Sequence, residues 1–292
     1  MRAMLPIPVR LTEMCECRYF RRAVLAAFFL GAGFETAPAT ATDAVISSWS
    51  KGQKSVARLV ASGGLEGGVY HVGVEIKLDP GTLTYWRTPG DAGVPPVFAF
   101  AGSSNLARAQ VLFPAPTRYV EDGAQTFGYK GDVTFPVDVT PRDRQSPVNL
   151  VLDLHYATCD QICLPAEAKI GVTLTPQAKA GPEAARIAAA NSRVPEIVDG
   201  AGGHSVKVEP LAAASAPTWT IAFSPVPSAS ADLFAEGPDG YFFDTHRNGG
   251  FQITLAQAPP DAKGPVPVTL TLVDGAAAYQ STIRLDAAPA AP

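Results

Sequence analysis

The chain has 292 residues, room for one large domain or two ordinary ones. Its hydrophobic residues (47%) and charged residues (17%) exclude wholesale disorder, and 26 glycines with 27 prolines point to many turns and short strands. A net charge of −4 with no basic stripe excludes the electrostatic footprint of a nucleic-acid binder, and four scattered histidines argue against a histidine-rich metal site.

Arg21-Arg22 precede the apolar run Ala23–Ala32, and small residues follow at Ala37, Ala39 and Ala41. A basic segment, about ten apolar residues and an Ala-Thr-Ala site make residues 1–41 a secretory signal peptide. The run is too short to span a bilayer, which takes about 20 apolar residues. Met14 is an alternative start, because residues 1–13 add nothing such a leader needs. Cleavage after Ala41 removes five arginines and three glutamates, which takes the net charge from −4 to −6. It also removes Cys15 and Cys17, leaving only Cys159 and Cys163, in a compartment where disulfides form. No later segment is long and apolar enough to cross a membrane, so the exported protein is expected to be soluble.

Beyond the leader, strands dominate. Tyr70, Val72, Val74, Ile76 and Leu78 fall on one face of a run whose other face carries His71, Gly73, Glu75 and Lys77, the period of a half-buried strand. The alternation returns at Val148, Leu150, Leu152, Leu154 and Tyr156, and at Ile170, Val172 and Leu174. Further strands are predicted over Ser55–Ser62, Val97–Ala101, Ala109–Phe113 and Val133–Thr140. An antiparallel sandwich over residues 42–176 is the economical reading. Residues 177–203 break the rhythm as a linker: Pro182–Ala190 forms a short helix with proline in its first turn, and Gly200–Gly203 a flexible joint. Strands resume at Ser205–Glu209, Thr218–Phe223, Phe251–Ala256, Val266–Val273 and Ala278–Leu285, with a hairpin at Asp274-Gly275. They make a second, smaller β-sandwich over 204–286, read as a docking or spacer module. The tail 287–292 is expected to be disordered.

The chemically distinctive stretch is Thr158-Cys159-Asp160-Gln161-Ile162-Cys163-Leu164-Pro165, between two alternating strands. Cysteines four apart across a turn can bring their α-carbons to the roughly 5.5–6 Å that a disulfide prefers. Three readings stay open. A structural disulfide closing so short a loop contributes only about 2 kcal/mol, against roughly 4 or more for a hundred-residue loop. A metal site needs further soft ligands, and His155, the nearest, lies roughly 13 Å from Cys159 along a strand. A reversible dithiol works by thiolate attack on sulfur and resolution by the neighbouring cysteine. No helix start lies nearby to lower a thiol pKa, and Asp160 opposes thiolate formation, so such a pair passes electrons mildly.

The run Tyr85-Trp86-Arg87-Thr88-Pro89-Gly90-Asp91-Ala92-Gly93-Val94-Pro95-Pro96 resembles a hallmark of the N-terminal domain of the thiol:disulfide interchange protein DsbD family, in its ScsB-like branch. Phe113–Pro116, Gly128–Asp132 and Cys159–Pro165 follow in the family's order, and the resemblance runs from about Trp49 to Thr175. It implies an immunoglobulin-like domain in the periplasm and extends more faintly to the second sandwich, so two all-β, immunoglobulin-like domains are expected. It implies a Cys159–Cys163 pair that takes electrons from a membrane-embedded thiol reductase and gives them to thioredoxin-fold proteins such as disulfide isomerases or their cytochrome c maturation relatives. No cofactor or metal is implied. In the family a mobile cap loop shields the cysteines. The matching stretch here is Glu121–Tyr129, with Phe127 or Tyr129 as the shielding ring, or else both in the core. The chain ends without the membrane and thioredoxin domains of its relatives, so the electron donor is expected to be a separate polypeptide.

Tyr85, Trp86, Arg87, Asp91 and Asp160 are supporting candidates around the pair. Arg87 and Asp91 are expected to form an ion pair holding the Pro-Gly turn. Trp49, Trp86 and Trp219 are read as packing residues, and His71, His204 and His246 as lacking a recognisable partner. The rival functions are a non-catalytic adaptor with a structural disulfide and a copper(I)-handling, metal-tolerance protein.

Overall fold

The computed structural model describes residues 46–91, 93–121, 123–198, 203–211 and 216–286. The predicted leader, the joint residues Gly200–Gly202 and the tail lie outside them. The described residues all fall in one compact unit.

Eleven strands come first: β1 (Ser50–Gly52), β2 (Ser55–Ala61), β3 (Tyr70–Leu78), β4 (Leu83–Gly90), β5 (Val97–Ala99), β6 (Leu106–Val111), β7 (Thr117–Glu121), β8 (Ala124–Lys130), β9 (Val133–Pro141), β10 (Val148–Cys159) and β11 (Cys163–Leu174). A helix, α1 (Glu183–Asn191), and a short strand, β12 (Glu196–Ile197), follow. Seven more strands complete the chain: β13 (Ser205–Pro210), β14 (Thr218–Ser224), β15 (Asp232–Glu236), β16 (Phe242–Arg247), β17 (Phe251–Gln257), β18 (Pro265–Asp274) and β19 (Ala277–Asp286).

The fold is all-β and immunoglobulin-like. One sheet has the order β1-β2-β3-β9-β6, and the sheet facing it the order β11-β10-β4-β8-β7, with β5 added beside β4 on β10. Period-two strands pack their inner faces together: Leu150, Leu152 and Leu154 of β10 are buried with Leu59, Val72, Val74 and Phe135 of the facing sheet. Two four-stranded sheets, β12-β19-β18-β15 and β13-β14-β17-β16, enclose a second core around Leu233, Ile253, Val268 and Leu270.

The described part of the segment between the sandwiches is tied down. Its first residues bond the β2–β3 turn, with Gly64 N donating to Ala178 O and Leu65 N to Pro176 O. Helix α1 then covers the outer face of the first sheet, and its Ile187 sits over Gly73, where a Cβ would stand 3.2 Å from Ile187 Cγ1. Beyond it, β12 runs parallel to β19.

Sequence patterning did not anticipate β1, β4, β7, β8, β12, β15 or β16. The Arg87–Asp91 ion pair is corrected as well. Residues 83–90 form a strand, in which Arg87 binds Glu236, while Asp91 Oδ2 accepts from Gln125 N at 2.7 Å.

The contact between the two sandwiches centres on β15. Leu233 and Ala235 enter the second core, whereas Phe234, 1% exposed, enters the first. Its ring meets Trp86 and Phe127 edge-on at 5.7 and 4.9 Å between centroids. On either side of it, Glu236 takes a forked pair of bonds from Arg87 (2.8 and 2.7 Å), and Asp232 binds Arg118 (2.9 Å).

Candidate functional site

The hairpin β10–β11 carries alternating apolar residues on its inner face, which fixes its register, because a one-residue slip would turn that face to solvent. The pairing runs from Val148↔Leu174 to Cys159↔Cys163, so the cysteines are the last rung before the turn Asp160-Gln161-Ile162. Their sulfurs are bonded and their α-carbons stand 4.1 Å apart. That separation is shorter than the expected 5.5–6 Å, because the two residues face each other directly across strands, where opposed pairs approach to about 4.5 Å.

Three side-chain hydrogen bonds tie this end of the hairpin to neighbouring elements. Thr84 Oγ1 donates to Ala157 O (2.8 Å), Thr158 Oγ1 donates to Gln53 O (3.0 Å), and Ser55 Oγ meets Tyr156 Oη at 2.7 Å. Strand β4 lies beside the sulfurs, with Leu83 opposite Cys159.

The two cysteines differ in exposure. Cys159 is half-buried against a small apolar cluster of Leu83, Tyr85, Ala157 and Tyr119, while Cys163 is exposed and the adjoining Ile162 is 61% exposed. Tyr85 Oη stands 3.1 Å from Cys163 Sγ. A disulfide sulfur carries no hydrogen, so the hydroxyl is the donor. Burial pushes the Tyr85 phenol up, which keeps the proton on it. The chain after β4 folds over this ring at Gly93, with φ of 135°, where a Cβ would stand 2.3 Å from Tyr85 Cε1. Only glycine permits that approach.

Asp160 does not bear on the sulfurs as a free anion. Its carboxylate pairs with Lys54 Nζ and accepts from Ile162 N at 3.3 Å and from Gln161 N, which caps the turn. The Lys54 ammonium, followed by the Ile162 N–H, holds its carboxyl below the usual carboxylate value.

Of the two places expected for Phe127 and Tyr129, they take the sandwich core and not a position over the sulfurs: both lie on β8, paired with β7, Phe127 packing on Phe234 and Tyr129 on Phe135. Tyr129 Oη donates to Pro114 O at 2.7 Å. The aromatic at the sulfurs is Tyr85, with Tyr119 beside it in the outer cluster. Strand alternation explains this: Thr84 and Trp86 alternate with Leu83 and Tyr85, and Trp86 is fully buried in the main core. Lys54, Leu83 and Tyr119 were missed as site neighbours, since none belongs to a motif and only the pairing of distant strands assembles them.

His155, weighed above as a ligand, pairs with Asp153 (3.1 Å) and Glu167 (3.4 Å). The remaining histidines do have partners: His71 with Asp138 at 2.9 Å, His204 stacked on Tyr279, and His246 with Thr254. Trp86 and Trp219 are buried, and Trp49, 37% exposed, lies under Arg58. Among the described residues no helix is long and apolar enough to cross a membrane.

Residues 57–175, from β2 to the end of β11, match the family model of the thiol:disulfide interchange protein DsbD, N-terminal. Among solved structures the chain is similar to the N-terminal periplasmic domain of ScsB from Proteus mirabilis, at 19% identity and a TM-score of 0.65. That likeness covers 84% of this chain and 99% of the other, so the shared fold extends well beyond residues 57–175. No curated protein matches the chain.

Proposed function

Residues 57–175 are a member of the DsbD N-terminal family, and from that premise we propose that the protein is a periplasmic thiol–disulfide interchange protein working through Cys159 and Cys163. The carrying observation is the placement of the bond: an exposed Cys163 and a sheltered Cys159 at the open end of a rigid hairpin. Exposure selects Cys163 as the sulfur a partner reaches.

The exchange balances in two halves. A thiolate of the electron donor attacks Cys163 Sγ, a mixed disulfide forms, and the electron pair of the broken bond leaves on Cys159 as a thiolate. The donor's second thiolate then attacks its own sulfur in the mixed disulfide. It departs oxidised and leaves a reduced pair here. In the second half the Cys163 thiolate attacks an acceptor disulfide, and Cys159 resolves the new mixed species. The acceptor leaves as a dithiol and the Cys159–Cys163 bond is restored. Tyr85 donates its hydroxyl hydrogen to Cys163 Sγ and so favours the thiolate whenever that sulfur carries charge.

The donor is a membrane-embedded thiol reductase, and the acceptors are thioredoxin-fold proteins of the periplasm. This reading keeps 1–41 as a leader, 42–176 as the redox domain, 177–203 as the connection and 204–286 as a second domain.

Trapping tests the reading. The full chain carrying Cys159→Ser is mixed with thioredoxin-fold proteins from the periplasm, each lacking its resolving cysteine. A Cys163-linked mixed disulfide is expected, and the Cys163→Ser variant should give none. Absence of any adduct with Cys159→Ser would overturn the relay and leave an adaptor with a fixed bridge.

A further inference from the structure

The strand β4 carries Tyr85 to the sulfurs, yet it is poorly held by its own sheet just beyond that residue. Its pairing with β8 runs through Tyr85↔Gly128, lapses, and resumes at Gly90↔Thr126, so Trp86, Arg87, Thr88 and Pro89 stand against Phe127 alone. A cavity of about 580 Å³, lined by Arg87, Pro89, Gln125, Glu236, Tyr241 and Phe243 among others, lies beside this segment and gives it room to move.

The second sandwich supplies the missing grip. Along β15, Asp232, Phe234 and Glu236 share one face, and it points away from the core that takes Leu233 and Ala235. That face crosses three adjacent strands of the redox sheet, meeting Arg87 on β4, Phe127 on β8 and Arg118 on β7. Glu236 takes the Arg87 fork and accepts from Thr88 Oγ1 at 2.8 Å, and Gln280 Oε1 takes a further Arg87 bond at 2.9 Å. Arg118, next in sequence to Tyr119, binds Asp232, Leu233 O and Thr245 Oγ1.

We propose that Glu236 is a positioning residue for the redox pair: through Arg87 and Thr88 it fixes the unpaired stretch of β4, and thereby holds the Tyr85 hydroxyl against Cys163. Asp232, through Arg118, does the same for the β7–β8 hairpin. The second sandwich is then part of the thiol chemistry. The inference rests on Cys159 and Cys163 being the working pair.

The test reads the pH profile of Cys163 capture by iodoacetamide in the full chain carrying Cys159→Ala, with near-ultraviolet circular dichroism as the check on folding. A hydroxyl donating to a thiolate lowers the thiol pKa, so Glu236→Gln should move the profile upward and slow capture at neutral pH about threefold or more. Removing a carboxylate by itself would favour the thiolate and move the profile the other way, so the sign separates positioning from bulk charge. With Tyr85→Phe already present, Glu236→Gln should add nothing. If Glu236→Gln does not fold, Arg87→Lys, which keeps the charge and loses the fork, replaces it with the same expectation. A profile that stays in place, moves downward, or moves equally with and without the Tyr85 hydroxyl would overturn the inference. The profile needs no partner protein. A moved profile without a trapped partner would therefore remove the relay alone, and a trapped partner with an unmoved profile would remove the positioning role alone.

Discussion

Lys54 and Asp160 form an ion pair at the base of the turn that separates the two sulfurs, joining residues 106 positions apart in the chain. The sequence places an anion between the cysteines, where it would oppose a thiolate, and the fold supplies the cation that offsets it. Lys54→Met should therefore raise the thiol titration of the reduced protein, and Asp160→Asn should lower it, read from the ultraviolet absorbance of the thiolate. Unchanged titrations in both variants would mean that neither charge reaches the sulfurs.

The same pair sets a pH dependence. The Asp160 carboxyl is held below its ordinary value of 3.8, so its share of stability is present above that value and is lost as pH falls through the lower, folded one. Both side chains reach solvent (37% and 30% exposed), which screens the pair, so the share is small. Melting of wild type and Asp160→Asn should differ slightly at neutral pH and converge in strong acid. A gap that widened on acidification would contradict this assignment.

Reducing the Cys159–Cys163 bond should cost only about 2 kcal/mol, because the loop it closes is so short. Urea unfolding with and without reductant measures this. A loss beyond about 5 kcal/mol would mark the bridge as a staple, since that exceeds what loop closure supplies even across a hundred residues.

Phe234→Ala should cost about 3–5 kcal/mol, the range for deleting a fully buried aromatic, although the residue comes from the second sandwich. The loss should be visible in urea unfolding followed by Trp86 fluorescence. A loss below about 1 kcal/mol would mean that the sandwiches hold together without this ring.

Glu75→Ala should cost about 3 kcal/mol. Its side chain is 4% exposed and carries Arg58 (2.6 Å) and Arg186 (2.7 Å), one from β2 and the other from α1. Removing it leaves the Arg58 cation largely buried without its main partner. Hydrogen exchange over Glu183–Asn191 should accelerate in the variant, and an unaffected helix would show that packing on Gly73 alone retains it.

Strands β10 and β11 were legible because apolar and polar residues alternate cleanly across a face open to solvent, β3 because the same alternation survives in its sequence although α1 covers its outer face, and the last hairpin from its Asp274-Gly275 turn. Strand β15 was not legible: its Asp-Leu-Phe-Ala-Glu has one face in each of two cores, and the charged face meets arginines instead of water. In β4 the Pro89-Gly90 pair reads as a turn, and the partner that holds Arg87 is 149 residues away. Strand β8 did alternate, with Phe127 and Tyr129 inward, but the likeness to a capped family drew those rings toward the sulfurs. Local patterning thus located the cysteine pair and the hairpin around it, while Tyr85 came from the family motif, and Lys54 and Tyr119 needed the tertiary pairing to appear.

Because the sulfurs occupy the final rung of a ladder whose other pairs are held by backbone bonds, opening their link leaves nothing else to unzip. If the pair cycles as proposed, uptake and release of two electrons proceed at nearly constant shape, and the energetic penalty of each cycle stays local to a turn of three residues.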